Sequence, residues 1–120
     1  MINKVLIVDD DTDFITLTRL GLIKNHFTVS VANSVMEAKA ILNQSSFDLI
    51  LCDISMPGES GLSLAEFIKE KQIQVYFAFM TGHTQEALKS KQIDTFPVLH
   101  KPFNAQQLIT FIANQKWLEF

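Results

Sequence analysis

The sequence is short of several things, and each shortage removes a class of protein. A single cysteine, Cys52, cannot close an internal disulfide, and with only three histidines beside it there are too few soft ligands for a structural zinc site. No apolar run approaches the length of a membrane span, and Met1-Ile2-Asn3-Lys4 leads directly into a strand-like run, so no signal peptide is expected. A cytoplasmic protein is therefore expected. Positive charge is also scarce: ten Lys and Arg against thirteen Asp and Glu give a net charge of −3, which argues against a nucleic-acid binder working through its own bulk charge. No linker, repeat or low-complexity stretch interrupts the 120 residues, which is one domain's length. Neither G-x-x-x-x-G-K-[ST] nor G-x-G-x-x-G follows the first apolar run, which disfavours a nucleotide-binding domain.

What is present is ordinary in amount and unusual in placement. Hydrophobic residues make up 48% and charged residues 19%, the balance of a globular domain with a real core. Asp9, Asp10, Asp11 and Asp13, however, place four acids within five positions. Without these and Asp53, eight acids face ten bases, a balance of +2, so the excess negative charge is local.

Apolar runs and helical spacings alternate along the chain. Val5 to Val8, Phe27 to Ala32, Phe47 to Cys52, Val75 to Met80 and Phe96 to Leu99 read as strands, the first and third as continuous apolar runs of the kind buried on both faces. Between them, Thr12 to about Asn25 has Phe14, Leu17, Leu20 or Gly21, and Ile23 or Lys24 at helical spacing, with Asp11 or Thr12 as cap. Ser34 with Glu37 is a capping-box signature opening a helix to about Leu42. Leu62 to about Lys71 is helical with Leu64, Ala65, Phe67 and Ile68 inward, Thr84 to Ser90 is a short helix, and Asn104 caps a closing helix to about Gln115. Five strands alternating with five helices predict an α/β domain with a parallel sheet covered on both faces.

In such sheets ligands bind beyond the carboxyl ends of the strands. Those ends carry Asp9-Asp10, Asp53, Thr81-Gly82 and Lys101. Clustered carboxylates repel one another unless a cation shares the site, and an all-oxygen set of two or three carboxylates suits Mg²⁺. A lysine and a threonine facing them would suit an anionic second group, most naturally a phosphoryl. Helix capping is the plain alternative for the acid cluster, but one cap needs one acid, and capping leaves Asp53 and Lys101 unexplained.

Ile7-Val8-Asp9-Asp10, Asp53-x-x-Met56-Pro57-x-x-x-Gly61, Thr81-Gly82 and Lys101-Pro102-Phe103, in this order and each at a strand end, resemble the receiver (CheY-like) domains of two-component response regulators over essentially the whole chain. The resemblance implies a three-layer, doubly wound (βα)5 fold of strand order 2-1-3-4-5, with residues 1–120 forming the receiver and no output domain among them. It implies that Asp53 accepts a phosphoryl group from a histidine kinase or phosphotransfer protein, and that Asp9, Asp10, Asp53 and the Ser55 backbone carbonyl ligate Mg²⁺. Lys101 would pair with Asp53 and then with the phosphoryl group, Thr81 would donate its hydroxyl to a phosphoryl oxygen, and Gly82 and Ser55 would lie against the same group. His83 is expected at the pocket mouth, acting on dephosphorylation. The Lys101-Pro102 bond is expected cis, aiming the lysine inward.

One departure concerns the switch. Val98 stands where the family commonly has a Tyr or Phe whose rotamer reports phosphorylation, and Phe96 lies two residues earlier on the same strand face, beyond Pro97. Cys52 is expected to be a buried small hydrophobe, and Met56-Pro57-Gly58 to shape the loop that offers the Ser55 carbonyl. Trp117, Leu118 and Phe120 are expected to fold back on the core, or else to form a contact surface. A phosphotransfer acceptor rather than an enzyme follows, acting on a downstream effector through its fourth helix, fifth strand and fifth helix, with homodimerisation through that face a family habit. The alternatives are a pseudo-receiver that binds without being phosphorylated, and a Mg²⁺-dependent phosphatase with an aspartyl nucleophile. The second usually has an acid two residues beyond the nucleophile, where this chain has Ser55.

Overall fold

The strand runs become one parallel sheet because their apolar side chains alternate between two covered faces. In the computed structural model, which describes residues 1–82, 96–115 and 117, the strands are β1 (Lys4–Val8), β2 (Thr28–Ala32), β3 (Leu49–Asp53), β4 (Tyr76–Thr81) and β5 (Val98–His100). Their order is β2-β1-β3-β4-β5, all parallel. The helices among the described residues are α1 (Thr12–Lys24), α2 (Val35–Leu42), α3 (Gly61–Glu70) and α4 (Ala105–Asn114). The short helix expected over 84–90 lies outside the described residues, as does His83.

Two cores result, one on each side of the sheet. Leu6 and Val8 of β1, Ile50 and Cys52 of β3, and Phe77 and Phe79 of β4 pack with Val35, Ala38 and Leu42 of α2 and Leu64, Ala65 and Ile68 of α3. Their strand neighbours Val5, Ile7, Leu49, Leu51, Ala78 and Met80 pack on the opposite side with Ile15 and Leu22 of α1 and Leu108 and Ile112 of α4. The period of two along each strand thus yields three layers. No helix among the described residues is long and apolar enough to cross a membrane.

The inward stripe of α1 differs from the expected one. Ile15, Thr18 and Leu22 face the sheet, whereas Leu17, Leu20 and Ile23 are 73%, 51% and 45% exposed. Both stripes satisfy helical spacing. The Asp11 Oδ1 accepts from the Phe14 amide and fixes the helix start, but the face is set by packing: Gly21 lies against Ala105 of α4, where a Cβ would stand 2.7 Å from the alanine Cβ. Phe67 is only partly buried, at the edge of its core. At α2, the Ser34 hydroxyl accepts from the Glu37 amide, while α4 carries the full reciprocal capping box of Asn104 and Gln107. Trp117 does fold back: it stacks on Tyr76, meets Phe111 edge-on, and donates from Nε1 to the Ile112 carbonyl at 3.1 Å, while Leu118 and Phe120 lie outside the described residues.

Candidate functional site

Register alone brings the two acid ends together. Val8 of β1 lies opposite Cys52 of β3, so the next residues on each chain, Asp9 and Asp53, are neighbours where the strand order reverses between β1 and β3. Asp9 has the parity of Val5 and Ile7, and Asp53 that of Leu49 and Leu51, which is the side covered by α1 and α4. On the far side of β4, Thr81 lies opposite His100, and the Lys101 amide donates to the Thr81 carbonyl at 2.8 Å. Lys101, the next residue along, carries its side chain back across the sheet edge to the carboxylates.

The charges are arranged as a triangle. Asp9 is fully buried; its Oδ2 accepts from Lys101 Nζ at 2.6 Å and its Oδ1 from the Asp11 amide at 3.0 Å. Asp53 accepts from the Ser55 amide at 3.1 Å and from Lys101 at 3.4 Å. The lysine is thus shared, with Asp9 rather than Asp53 as the nearer partner. A carboxylate with no exposure has no water to lean on and gains most from the ammonium. Asp10, in contrast, is exposed. Burial pushes the Asp53 carboxyl above its ordinary value, Lys101 opposes this, and the neighbouring Asp9 charge adds to it. Burial pulls the Lys101 ammonium down, but the hydrogen bond to Asp9 and the charges of Asp53 and Asp9 outweigh it, so the net direction is up.

The carboxylate oxygens of Asp9, Asp10 and Asp53 lie within 4.8 Å of one another. Three hard oxygen donors at that spacing, two buried and one open to water, fit a small divalent cation that keeps part of its hydration shell, which is the coordination habit of Mg²⁺.

Thr81 is fully buried at the end of β4, Gly82 and Ser55 are exposed beside the site, and Val98 packs with Phe96 against the α2 and α3 core. Phe96 meets Phe79 edge-on at 5.6 Å, so the aromatic two residues before Val98 does share its face. The Lys101-Pro102 bond is cis. Cys52 is buried with its thiol turned to the Asp53 carbonyl; burial first, then the charges of Asp53 and Asp9, push that thiol well up, so it behaves as a small apolar residue.

Two contributions go beyond the roles the motifs assign. Gly61 lets the first turn of α3 close onto the acceptor strand: a Cβ there would stand 2.5 Å from the Asp53 carbonyl oxygen and 3.1 Å from Cys52 Sγ. The signal was the glycine ending the loop motif. Phe14, in the first turn of α1, sets its ring 4.1 Å from Lys101 Nζ. Nothing in the local sequence marks that contact, since the two residues are joined only through the fold.

Residues 5–113 match the model of the response regulator receiver domain. Among curated proteins, PetR of Rhodobacter capsulatus is 33% identical over 106 residues, covering 88% of this chain and 45% of PetR. The response regulator protein PilR of Pseudomonas aeruginosa is 32% identical over 112 residues, covering 92% of this chain and 25% of PilR. The chain thus spans less than half the length of either relative. Among solved structures, the response regulator TrrA of Thermotoga maritima in complex with Mg²⁺-BeF shares the fold at a TM-score of 0.82 and 24% identity, over 92% of this chain and 96% of that one. With the match extending over nearly every element, and the acids and lysine gathered where the strand order reverses, the chain belongs to the response regulator receiver domain family.

Proposed function

We propose that residues 1–120 act as a phosphorylatable receiver in two-component signalling, with Asp53 as the phosphoacceptor. The observation that carries this reading is the shared lysine: one ammonium holding two buried carboxylates beside a third, exposed one. A purely structural ion pair needs one acid, and burying two without a task is costly.

The Asp53 carboxylate oxygen attacks the phosphorus of a phosphohistidine on a sensor kinase or phosphotransfer protein. The P–N bond breaks, its electron pair leaves on the imidazole nitrogen, which takes up a proton, and an acyl phosphate remains on Asp53. Burial raises the Asp53 carboxyl above its ordinary value, which makes its oxygen more basic, and so a better nucleophile, than that of an exposed aspartate. Lys101 loosens from Asp53 toward the new phosphoryl oxygens while keeping its short bond to Asp9. Thr81 supplies a hydroxyl from the end of β4, Ser55 and Gly82 border the group, and His83, outside the described residues, is expected to act on dephosphorylation. Asp9, Asp10, Asp53 and the Ser55 backbone carbonyl would hold Mg²⁺, which when bound supplies positive charge against the carboxylates and the phosphoryl oxygens.

Transfer shifts the population between two conformations that a downstream effector distinguishes. Val98 in place of a switch aromatic moves that readout toward Phe96 and its contacts with Phe77 and Phe79. The work is done in the cytoplasm by protein contacts, without catalysis on a diffusible substrate.

The test is incubation with acetyl phosphate and Mg²⁺ followed by intact mass measurement. Wild type gains one phosphoryl group and Asp53→Asn gains none. Absence of the adduct with both acetyl phosphate and a phosphohistidine donor would leave a pseudo-receiver.

A further inference from the structure

Resting on the phosphoacceptor reading, we propose that Phe14 is a positioning residue for Lys101, its ring face holding the ammonium over the gap between Asp9 and Asp53. Three observations meet here. Lys101 Nζ stands 4.1 Å from the Phe14 ring centroid, within the range of a cation–π contact. The same nitrogen bonds Asp9 at 2.6 Å and Asp53 at 3.4 Å. The Phe14 ring is itself fixed, with Phe103 packed edge-on at 5.4 Å and an interplanar angle of 90°.

An ammonium has three donors and a flexible four-carbon stem. Two donors are spent on the carboxylates, and the unequal distances show that Asp9 pulls harder. Left to these two partners, the head group is free to swing on its stem between Asp9 and water, because the Lys101 side chain keeps 20% of its surface exposed. The negative face of the Phe14 ring, 4.1 Å away, attracts the charge from a third direction. Three points fix the nitrogen where two would let it pivot. Phe14 lies on α1 and Phe103 on the segment leading into α4, so two elements flanking the sheet end set the lysine. Holding the cation in place before the reaction removes reorganisation at the moment the phosphoryl charge arrives.

The test separates ring electronics from ring packing. Replacing Phe14 with phenylalanines carrying one, two and three ring fluorines keeps shape while draining the negative face. The rate of phosphoryl incorporation from acetyl phosphate and Mg²⁺ should fall stepwise along the series. Phe14→Leu should slow it by roughly three- to thirtyfold, the range of a partly to largely desolvated cation–π contact. Phe14→Tyr, which keeps a ring face, should restore most of the rate. In the Lys101→Ala background the fluorinated series should be flat. Independently of phosphorylation, the Lys101 Hε protons of the wild type should show upfield ring-current shifts in NMR spectra that Phe14→Leu abolishes. A flat fluorinated series in an otherwise phosphorylatable protein, or unshifted Hε protons in the wild type, would overturn the proposal. No phosphoryl uptake by the wild type, with the ring-current shift present, would defeat the phosphoacceptor reading and still support the hold of Phe14 on Lys101.

Discussion

Gly61→Ala sets two physical effects against each other with opposite signs. Helix propensity alone favours alanine over glycine at the start of α3, by up to about 1 kcal/mol. Packing opposes it: the new Cβ would lie 2.5 Å from the Asp53 carbonyl oxygen, 3.1 Å from Cys52 Sγ and 3.2 Å from Ile54 Cα. Two of those atoms are backbone, so no rotamer change relieves the overlap, and α3 must shift away from β3 and break the bond from the Gly61 amide to the Ile54 carbonyl, now 3.0 Å. Overpacking of this kind costs about 3 kcal/mol, which leaves a net loss of about 2 kcal/mol. With a urea slope of about 2 kcal/mol/M, the unfolding midpoint should drop by about 1 M at unchanged slope. Because the collision is with the Asp53 carbonyl itself, phosphoryl uptake should slow as well. Gly82→Ala is the control, since a Cβ there meets nothing within 4 Å and the midpoint should stay put. A Gly61→Ala protein at or above the wild-type midpoint would refute the reasoning, because propensity would then have outweighed a backbone collision.

Two further outcomes follow from the charges. Mg²⁺ should raise the melting temperature by mass action, by about 2.7 kcal/mol of stability at a hundredfold excess over the dissociation constant. Asp10→Asn, altering an exposed residue, should melt like wild type in EDTA yet lose most of that increment on a calorimetric scan. At the other end of the sheet, Asp48 Oδ2 accepts from the Lys4 and Asn3 amides at 2.8 and 2.9 Å, and these bonds hold its carboxyl below the usual range. A depressed carboxyl stabilises the fold above its unfolded-state value and loses that contribution as pH falls through the folded one. Asp48→Asn should therefore cost about 1 kcal/mol at neutral pH, and chemical denaturation should show the difference closing below about pH 4. A difference that persists unchanged into acid would count against this account.

The sequence carried the strand ends plainly, because an apolar run closed by an acid has few other readings and parallel register then makes neighbours of Asp9 and Asp53. It carried the caps at Asp11, Ser34 and Asn104 for the same local reason. It did not carry the face of α1, where Leu17 and Leu20 fit helical spacing as well as Ile15 and Leu22 do, and only the approach of Ala105 to Gly21 separates the two. Nor did it carry the sharing of Lys101, in which Asp9 proves the nearer partner. That preference depends on which carboxylate is the more deeply buried, a property of the assembled layers and not of any segment. The contact of Phe14 with Lys101 belongs to the same kind.

The division of each strand into odd and even residues has a consequence for how this domain can change. Asp9, Asp53, Lys101 and Phe14 belong to the side of α1 and α4, whereas Val98, Phe96, Phe77 and Phe79 belong to the side of α2 and α3. The sheet is a partition, and substitutions in one compartment should combine additively with those in the other. Two places join the sides: Gly61, where α3 touches the Asp53 peptide, and Thr81, which has the strand parity of Phe77 and Phe79. Repacking on the α2 and α3 side away from these contacts should therefore leave the carboxylate–lysine geometry on the other side undisturbed.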